Sequence, residues 1–511
     1  MNAHFVKFMF LCTLLLTIMV SSQTAAPAQA QTFSCSNVTE IPTAECDELV
    51  SVYNSTNGPG WYDKTGWLTT NTPCSWFGIL CSEGHVSWIY LEGNNLSGTI
   101  PNFNLSNLQV LNLVGNQLSG TIPNFTLPNV ISIDLSYNQL SGPIPNFTLP
   151  NLTGLHLPNN QLSGPIPNFT LPNLTYLYLD NNQLSGPIPN FTLPILTGLH
   201  LPDNQLSGPI PNFNLPNLTG LYLGNNQLSG AIPNFNLPNL IQLSLDDNQL
   251  NSTIPNFNLP NLQWLQLGNN QLSGPIPNFN LPNLTLLILS YNQLSGPIPN
   301  FNLPDLQKIY LQYNALSGQI PNFTNLPNLY DLSLFNNQLS GTIPNFNNLP
   351  NLYYLLLNNN QLSGAIPNFN QSNLNSLHLN NNQLSGQIPN FTLPNLTYLR
   401  LENNQLSGAI PNFNLPNLSG LYLNNNQFSE TIPNFNLPSL NSLYLNNNQL
   451  SSTIPNLNWS TFYELKFYNN CGLVAYDDAQ AIVLKSKDST WQQLNPACLS
   501  TPTTTTTSSP P

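Results

Sequence analysis

Leu152-Thr153-Gly154-Leu155-His156-Leu157-Pro158-Asn159-Asn160-Gln161-Leu162-Ser163-Gly164-Pro165-Ile166-Pro167-Asn168-Phe169 is one turn of a pattern that fills most of the chain. Asn160 has counterparts at Asn94, Asn116, Asn138, Asn182 and onward to Asn448 and Asn470, in steps of 22 residues except for two steps of 23. A fixed period of this length marks a solenoid, in which each repeat is one coil stacked on its neighbours. Leu155-His156-Leu157 alternates apolar and polar residues and predicts a short strand with one buried face. Asn160 sits where the chain leaves that strand. Its amide can satisfy turn backbone groups of its own and the neighbouring coil, which no apolar residue could do. Gly164, Pro165 and Pro167 punctuate the return path and make a helix there unfavourable.

Phe169 marks a second buried line, repeated at Phe103, Phe125, Phe147 and on to Phe435, with Leu457 at its end. One aromatic per coil predicts a stacked spine, each ring contributing roughly 1.5–3 kcal/mol by burial. About 17 strands at about 4.8 Å spacing give a parallel sheet with an arc of order 80 Å. Neither the Asn ladder nor the Phe spine is assigned a functional role.

The repeats span 86–470, between a cap at 31–85 and another at 471–500. In the first cap Thr43, followed by Glu45, Asp47 and Glu48, reads as a helix N-cap, and Asn57-Gly58-Pro59-Gly60 stops that helix. In the second, Asp477-Asp478 before Ala479, Ile482, Val483 and Leu484, with Lys485 and Lys487 late, predicts an amphipathic helix over the last coil. Residues 1–30 read as a signal peptide: Lys7, an apolar run from Phe8 to Val20, then Ala28-Gln29-Ala30. Residues 501–511 are a Thr/Pro/Ser-rich linker or tail, and the chain stops inside it as one cut before an anchor or further domain would.

Charged residues are 5% of the chain and the net charge is −13, with seven Lys and Arg in all, so no basic groove for nucleic acid can form. Cys12 leaves with the leader. Cys35, Cys46, Cys74, Cys81, Cys471 and Cys498 all flank the repeats, and an even number in an exported chain implies disulfides. Locality favours Cys35–Cys46, Cys74–Cys81 and Cys471–Cys498. With no Cys-x-x-Cys pair and few histidines, neither a metal nor another cofactor is expected.

Asn138-Gln139-Leu140-Ser141-Gly142-Pro143-Ile144-Pro145 and its fellows resemble the plant-type leucine-rich repeat. That class builds receptor-like kinase and receptor-like protein ectodomains and polygalacturonase-inhibiting proteins. Plant-like repeats also occur in exported bacterial proteins, so the kingdom stays open. Pro73-Cys74-Ser75-Trp76-Phe77-Gly78-Ile79-Leu80-Cys81 resembles the N-terminal cap motif of the family, and Asn470-Cys471-Gly472-Leu473 the close of its last repeat. The resemblance implies an α/β repeat solenoid, a right-handed superhelix with a parallel sheet on the concave face. The family repeat is typically 24 residues; here two are missing after Ile-Pro, so the convex coil should be tighter. The resemblance also implies recognition of a protein, peptide or glycan on the concave face, at the cell surface or in the wall.

The column between the paired strand leucines varies from coil to coil: Tyr90, Asn112, Asp134, His156, Tyr178, His200, Tyr222 and onward to Arg400, Tyr422, Tyr444 and Lys466. Two residues earlier lie Trp88, Tyr176, Trp264, Tyr354 and Tyr398. Tyr and Trp enrich at binding sites because they offer large contact area at low entropy cost; they also simply favour strands. Three candidate ligand-binding clusters follow: Tyr398, Arg400, Tyr422 and Tyr444; Tyr176, Tyr178 and Tyr222 with His156 and His200; and Trp88 with Tyr90. His156 and His200 should stand about 10 Å apart, too far to share an ion. Asp134 beside His156 is the nearest approach to a catalytic dyad, but no nucleophile elbow accompanies it, and no catalytic residue is assigned.

The expected function is therefore an exported, non-enzymatic recognition protein. Inhibition of a secreted hydrolase is one form of it. The alternative is a structural, adhesive or ice-binding repeat. Some nineteen Asn-x-Ser/Thr sequons occur, among them Asn37, Asn124, Asn146, Asn168, Asn190, Asn283, Asn395 and Asn417. They read as glycan acceptors or as chance products of an Asn-rich repeat, and the Asn of Ile-Pro-Asn-Phe, present in nearly every coil, reads equally as a structural ladder. The sequence is silent on the ligand and on the oligomeric state.

Overall fold

The computed structural model describes residues 33–457 and 461–494. The expected signal peptide, Cys498 and the Thr-rich tail lie outside the described residues.

The first coil contributes the strand His85–Tyr90, and each later coil one three-residue strand, to a continuous sheet. Gly154–His156 pairs in parallel with Ser132–Asp134 before it and Tyr176–Tyr178 after it, residue for residue. Among the described residues this sheet has 19 strands. Its N-terminal edge is closed by an antiparallel hairpin partner, Ile79–Ser82 on His85–Tyr90, which removes an open edge at that end.

A second parallel sheet, 16 strands among the described residues, runs along the Gln-Leu-Ser-Gly segments, such as Gln161–Gly164. The sequence predicts only turn punctuation at Ser163-Gly164 and no strand here. Gly164 has φ +80°, so it ends the strand at a conformation closed to most side chains, while Leu162 before it is fully buried. Within the coils the return path carries no helix among the described residues. The helices belong to the caps.

The interior is one hydrophobic cluster from Cys35 to Trp491. The Phe spine is buried, with successive rings near 6.3 Å, as in Phe125–Phe147 and Phe391–Phe413. Asn160 does what its position suggested. Its Nδ2 donates to the carbonyls of Leu135, Leu157 and Pro158, and its Oδ1 accepts from Leu140 N–H of the coil before. The two 23-residue coils absorb their extra residue at the spine: Phe323 and Phe346 sit at φ +48° and +52°. In the coil after them Gln371 replaces the usual leucine. It is buried, and its Nε2 donates to the carbonyls of Phe346 and Asn345.

In the N-terminal cap, α1 (Thr43–Ser55) begins one residue earlier than expected, because Pro42 occupies the cap position and makes no side-chain cap bond. Pro42 has no N–H to satisfy and fixes φ for helix entry. Glu45 instead turns inward, accepting from Val86 N–H at 2.8 Å and meeting His85 Nδ1 at 2.6 Å, which ties α1 to the first strand. Cys35–Cys46 and Cys74–Cys81 are bridged as locality suggested. Cys471 is disulfide-bonded. At the other end, α2 (Asp478–Lys487) is capped by Asp477, which accepts from Gln480 N–H. Its buried side chains are Gln480 and Leu484, whereas Ile482 is 71% exposed. The expected apolar stripe is therefore narrower. Gln480 supplies the seal, donating to the carbonyls of Ile454 and Pro455.

Candidate functional site

The register of the concave sheet makes the variable column a row of near neighbours. Asp134 Oδ2 is 3.4 Å from His156 Nδ1. His156 stacks on Tyr178 with ring centroids 4.9 Å apart; Tyr178 meets His200 at 4.1 Å, and His200 meets Tyr222 at 4.2 Å. Tyr176 joins edge-on to Tyr178 at 5.9 Å. Four strands thus carry one unbroken ring row with an acid at its end.

Glycines seat this row. Gly154, Gly198 and Gly220 stand two residues before His156, His200 and Tyr222 on their strands. A Cβ on Gly220 would lie 2.7 Å from Tyr222 Cε2, and one on Gly198 would lie 3.2 Å from Tyr178 Cε1. The rings therefore lean over backbone that offers no side chain.

The electrostatics follow from this burial. Burial pushes the Asp134 carboxyl up, but hydrogen bonds from His156 and Ser136 outweigh it, and the acid sits below its ordinary range. Burial, and then the neighbouring His156, pull His200 down to about 4, so it is a neutral imidazole near pH 7. The Ser136 hydroxyl donates to Asp134 rather than to a histidine, and among the described residues no group hydrogen-bonds His156 Nε2. Tyr178 lies between His156 and His200. Between Lys64 and Lys308 the chain has no lysine or arginine, while Glu83, Glu92, Asp134, Asp180, Asp203, Asp246, Asp247 and Asp305 fall in that interval.

The second cluster uses the same seat. A Cβ on Gly420 would lie 2.7 Å from Tyr422 Cε2 and 3.0 Å from Tyr398 Cδ1. Tyr422 and Tyr444 pack at 5.1 Å. Arg400 is engaged within the protein: its guanidinium lies 4.9 Å from the Tyr422 ring and 2.8 Å from Glu402 Oε1. Burial, then the Glu464 carboxylate, push the Tyr444 hydroxyl up to about 12. Trp88 and Tyr90 form the third cluster, edge-on at 6.0 Å. The first two clusters are not brought together. Eight strand steps separate Tyr222 from Arg400, about 38 Å at sheet spacing.

Comparison with known proteins fits this geometry. The leucine rich repeat family matches at residues 107–126, 261–280, 283–302, 373–392 and 395–414, and its two-copy form at 150–192. A probable leucine-rich repeat receptor-like protein kinase of Arabidopsis thaliana is 41% identical over 56 residues, which is 10% of this chain and 8% of the kinase. The chain thus spans a small part of that relative's length. Among solved structures, the plant peptide hormone receptor RGFR1 in complex with RGF2 is 33% identical, with a TM-score of 0.73 over 79% of this chain and 75% of that one. The chain belongs to the leucine-rich repeat proteins. The Arabidopsis receptor kinase HAESA ectodomain, in complex with an N-terminally extended IDA peptide hormone, is 30% identical, with a TM-score of 0.56 over 83% and 85%.

Against the leucine-rich repeat frame, one further cluster stands out. Tyr310 Oη donates to Asp331 Oδ2 at 2.7 Å, and Lys308 Nζ sits 5.4 Å above the Tyr330 ring. Asp331 is 8% exposed, and burial raises its pKa above the ordinary carboxylate range. The sequence signal was present, since Lys308 and Asp331 occupy the same column in adjacent coils. Reading aromatics alone passed over it. The glycine seats were missed for the same reason.

Proposed function

We propose that this chain is an exported, non-enzymatic recognition module whose concave face binds a protein, peptide or glycan at the cell surface or in the wall. The observation that carries the reading is the ring row His156–Tyr178–His200–Tyr222, in which His156, Tyr178 and Tyr222 lie over glycines. A sheet needs no such gaps for its own stability: glycine weakens a strand. Gaps that let aromatic rings lie down make a preorganised contact surface. RGFR1 and HAESA were solved with peptide hormones, which supports a peptide ahead of a glycan. The lack of lysine and arginine from 65 to 307 argues against an anionic ligand there.

The test is an affinity pull-down of the full chain against secreted peptides and wall glycans, beside Tyr178→Ala/Tyr222→Ala and Tyr398→Ala/Tyr422→Ala/Tyr444→Ala variants. A partner lost with the first variant places the site on the ring row, and one lost with the second places it near Tyr422. A partner retained by both moves the site to Trp88 and Tyr90 or off the concave face, and one retained by a Trp88→Ala/Tyr90→Ala variant as well sinks the concave reading. The second sheet, most of whose strands read Gln-Leu-Ser-Gly, is a regular face that suits the structural or ice-binding alternative. Normal ice recrystallisation in the presence of the protein would remove the ice version.

A further inference from the structure

Twelve of the sequons fall into two columns with different chemistry at the acceptor atom. In the first, Asn151, Asn173, Asn217, Asn283, Asn395 and Asn417 precede the concave strands. Each Nδ2 donates to a backbone carbonyl of the coil before: Asn151 to Pro128, Asn173 to Pro150, Asn217 to Pro194, Asn283 to Pro260, Asn395 to Ser372 and Asn417 to Pro394, all at 2.8–2.9 Å. The first four also line a shallow trough of two cavities, about 600 and 660 Å³.

The second column lies on the return path, in Asn-Phe-Thr: Asn124, Asn146, Asn168, Asn190, Asn322 and Asn390. These side chains are exposed, and the Thr two residues on from each is exposed as well. Only the Phe between points inward. The structural-ladder reading of the Ile-Pro-Asn-Phe asparagines is not met: the amide bonds to the neighbouring coil lie in the first column instead. Among the described residues, the second column has no such bonds.

We infer that the return-path column is an N-glycan rail and that the trough column stays bare. The inference rests on the proposed export, because the donor is a lipid-diphosphate-linked oligosaccharide of a eukaryotic secretory route. In the transfer the Asn Nδ2–C1 bond forms and the C1–O bond to the diphosphate breaks. The lipid diphosphate leaves with the electron pair, and Nδ2 gives up one of its two protons. A sugar on Asn151 Nδ2 would begin against the neighbouring coil, at the atom pair that joins the two. A sugar on Asn146 begins in solvent and disturbs no bond. Chains modified in the trough column therefore fold and leave the cell less readily. The exported pool keeps sugar on the rail, so the concave face and the trough remain open to a partner.

The experiment expresses the full chain in yeast or plant cells with its own leader and, in parallel, with a host leader replacing residues 1–30. The secreted protein is treated with peptide N-glycosidase and each Asn-to-Asp conversion is mapped by mass spectrometry. Failure of the native leader alone counts against export and leaves the host-leader arm to judge the rail. Expected is sugar on the Asn-Phe-Thr sites at occupancies at least about ten-fold above those of the trough sites. The Thr126→Ala/Thr148→Ala/Thr170→Ala/Thr192→Ala variant should be secreted with the corresponding mass lost. Equal occupancy of both columns, a trough preference, or bare sequons throughout the host-leader product would overturn the inference.

Discussion

The Leu140 backbone N–H donates to the Asn160 side-chain oxygen at 3.0 Å, across the seam between two coils. The same amide donates three bonds through Nδ2. Asn160→Asp keeps the shape but removes every one of those donations and turns an oxygen toward three carbonyls. The expected loss is about 3–5 kcal/mol, from buried groups left unpaired. Asn159→Asp, one residue away, should be near neutral, because Asp203 and Asp247 already occupy that left-handed position in other coils. Urea unfolding of the two variants compares them directly; equal midpoints would show that the ladder contributes nothing.

Gly220→Val separates contact surface from scaffold. Valine is a good strand former, so the strand itself should tolerate it, with a melting point within a few degrees of wild type. Its Cβ would nevertheless stand 2.7 Å from Tyr222 Cε2 and push that ring off His200. Loss of ligand binding at unchanged thermal stability is expected, measured by calorimetry against whichever partner the pull-down returns. Unaltered affinity would mean that the row's arrangement is incidental.

Gln371→Leu restores the residue that most coils carry at this point, yet it should destabilise. The 23-residue coil leaves the carbonyls of Asn345 and Phe346 facing the Gln371 amide, and leucine cannot donate to them. A loss of about 1–3 kcal/mol is expected in denaturant unfolding. A variant more stable than wild type would refute this role.

His200 and His378 give a pH signature. Burial is the larger cause in both, and each is held down to about 4. The unfolded chain, with histidines near 6.5, takes up protons first as pH falls. Stability from these residues is therefore full above about pH 6.5 and is lost as pH falls toward 4, by on the order of 1 kcal/mol each once their partial solvent contact is discounted. Asp180, Asp246, Asp331 and Glu402, which burial raises, act in the opposite sense. The measurement is accordingly the difference in melting temperature between wild type and His200→Phe/His378→Gln at pH 7 and pH 4.5. The variant should lose less on acidification; parallel losses would remove these histidines as the cause.

Much of this was legible because stacking repeats one constraint many times. Asn160 and Phe169 recur wherever a coil must close, and the strand register places Tyr178 beside His156 and His200 from spacing alone. What escaped the sequence was carried by residues that look like gaps. Gly164 reads as a turn, although it ends a strand of the second sheet. Gly198 and Gly220 read as weak strand residues, although they seat rings. Arg400 reads as a ligand-facing member of the Tyr398, Tyr422 and Tyr444 cluster, but Glu402, two residues on and back on the same face, pairs with it. Those relations depend on which side chain leans where, and period does not encode that.

The antiparallel strand at Ile79–Ser82 and the Gln480 seal on Ile454 and Pro455 have a meaning for the chain as matter. Each coil's upper surface is the template for the next, with the same leucines, the same amide and the same spine ring offered upward. Nothing inside the repeat tells the stack to stop. Length is therefore set by termination, at ends that no longer resemble the template. Stripped of its two end pieces, this molecule would be a short segment of a polymer, with each raw face ready to accept another chain's first coil.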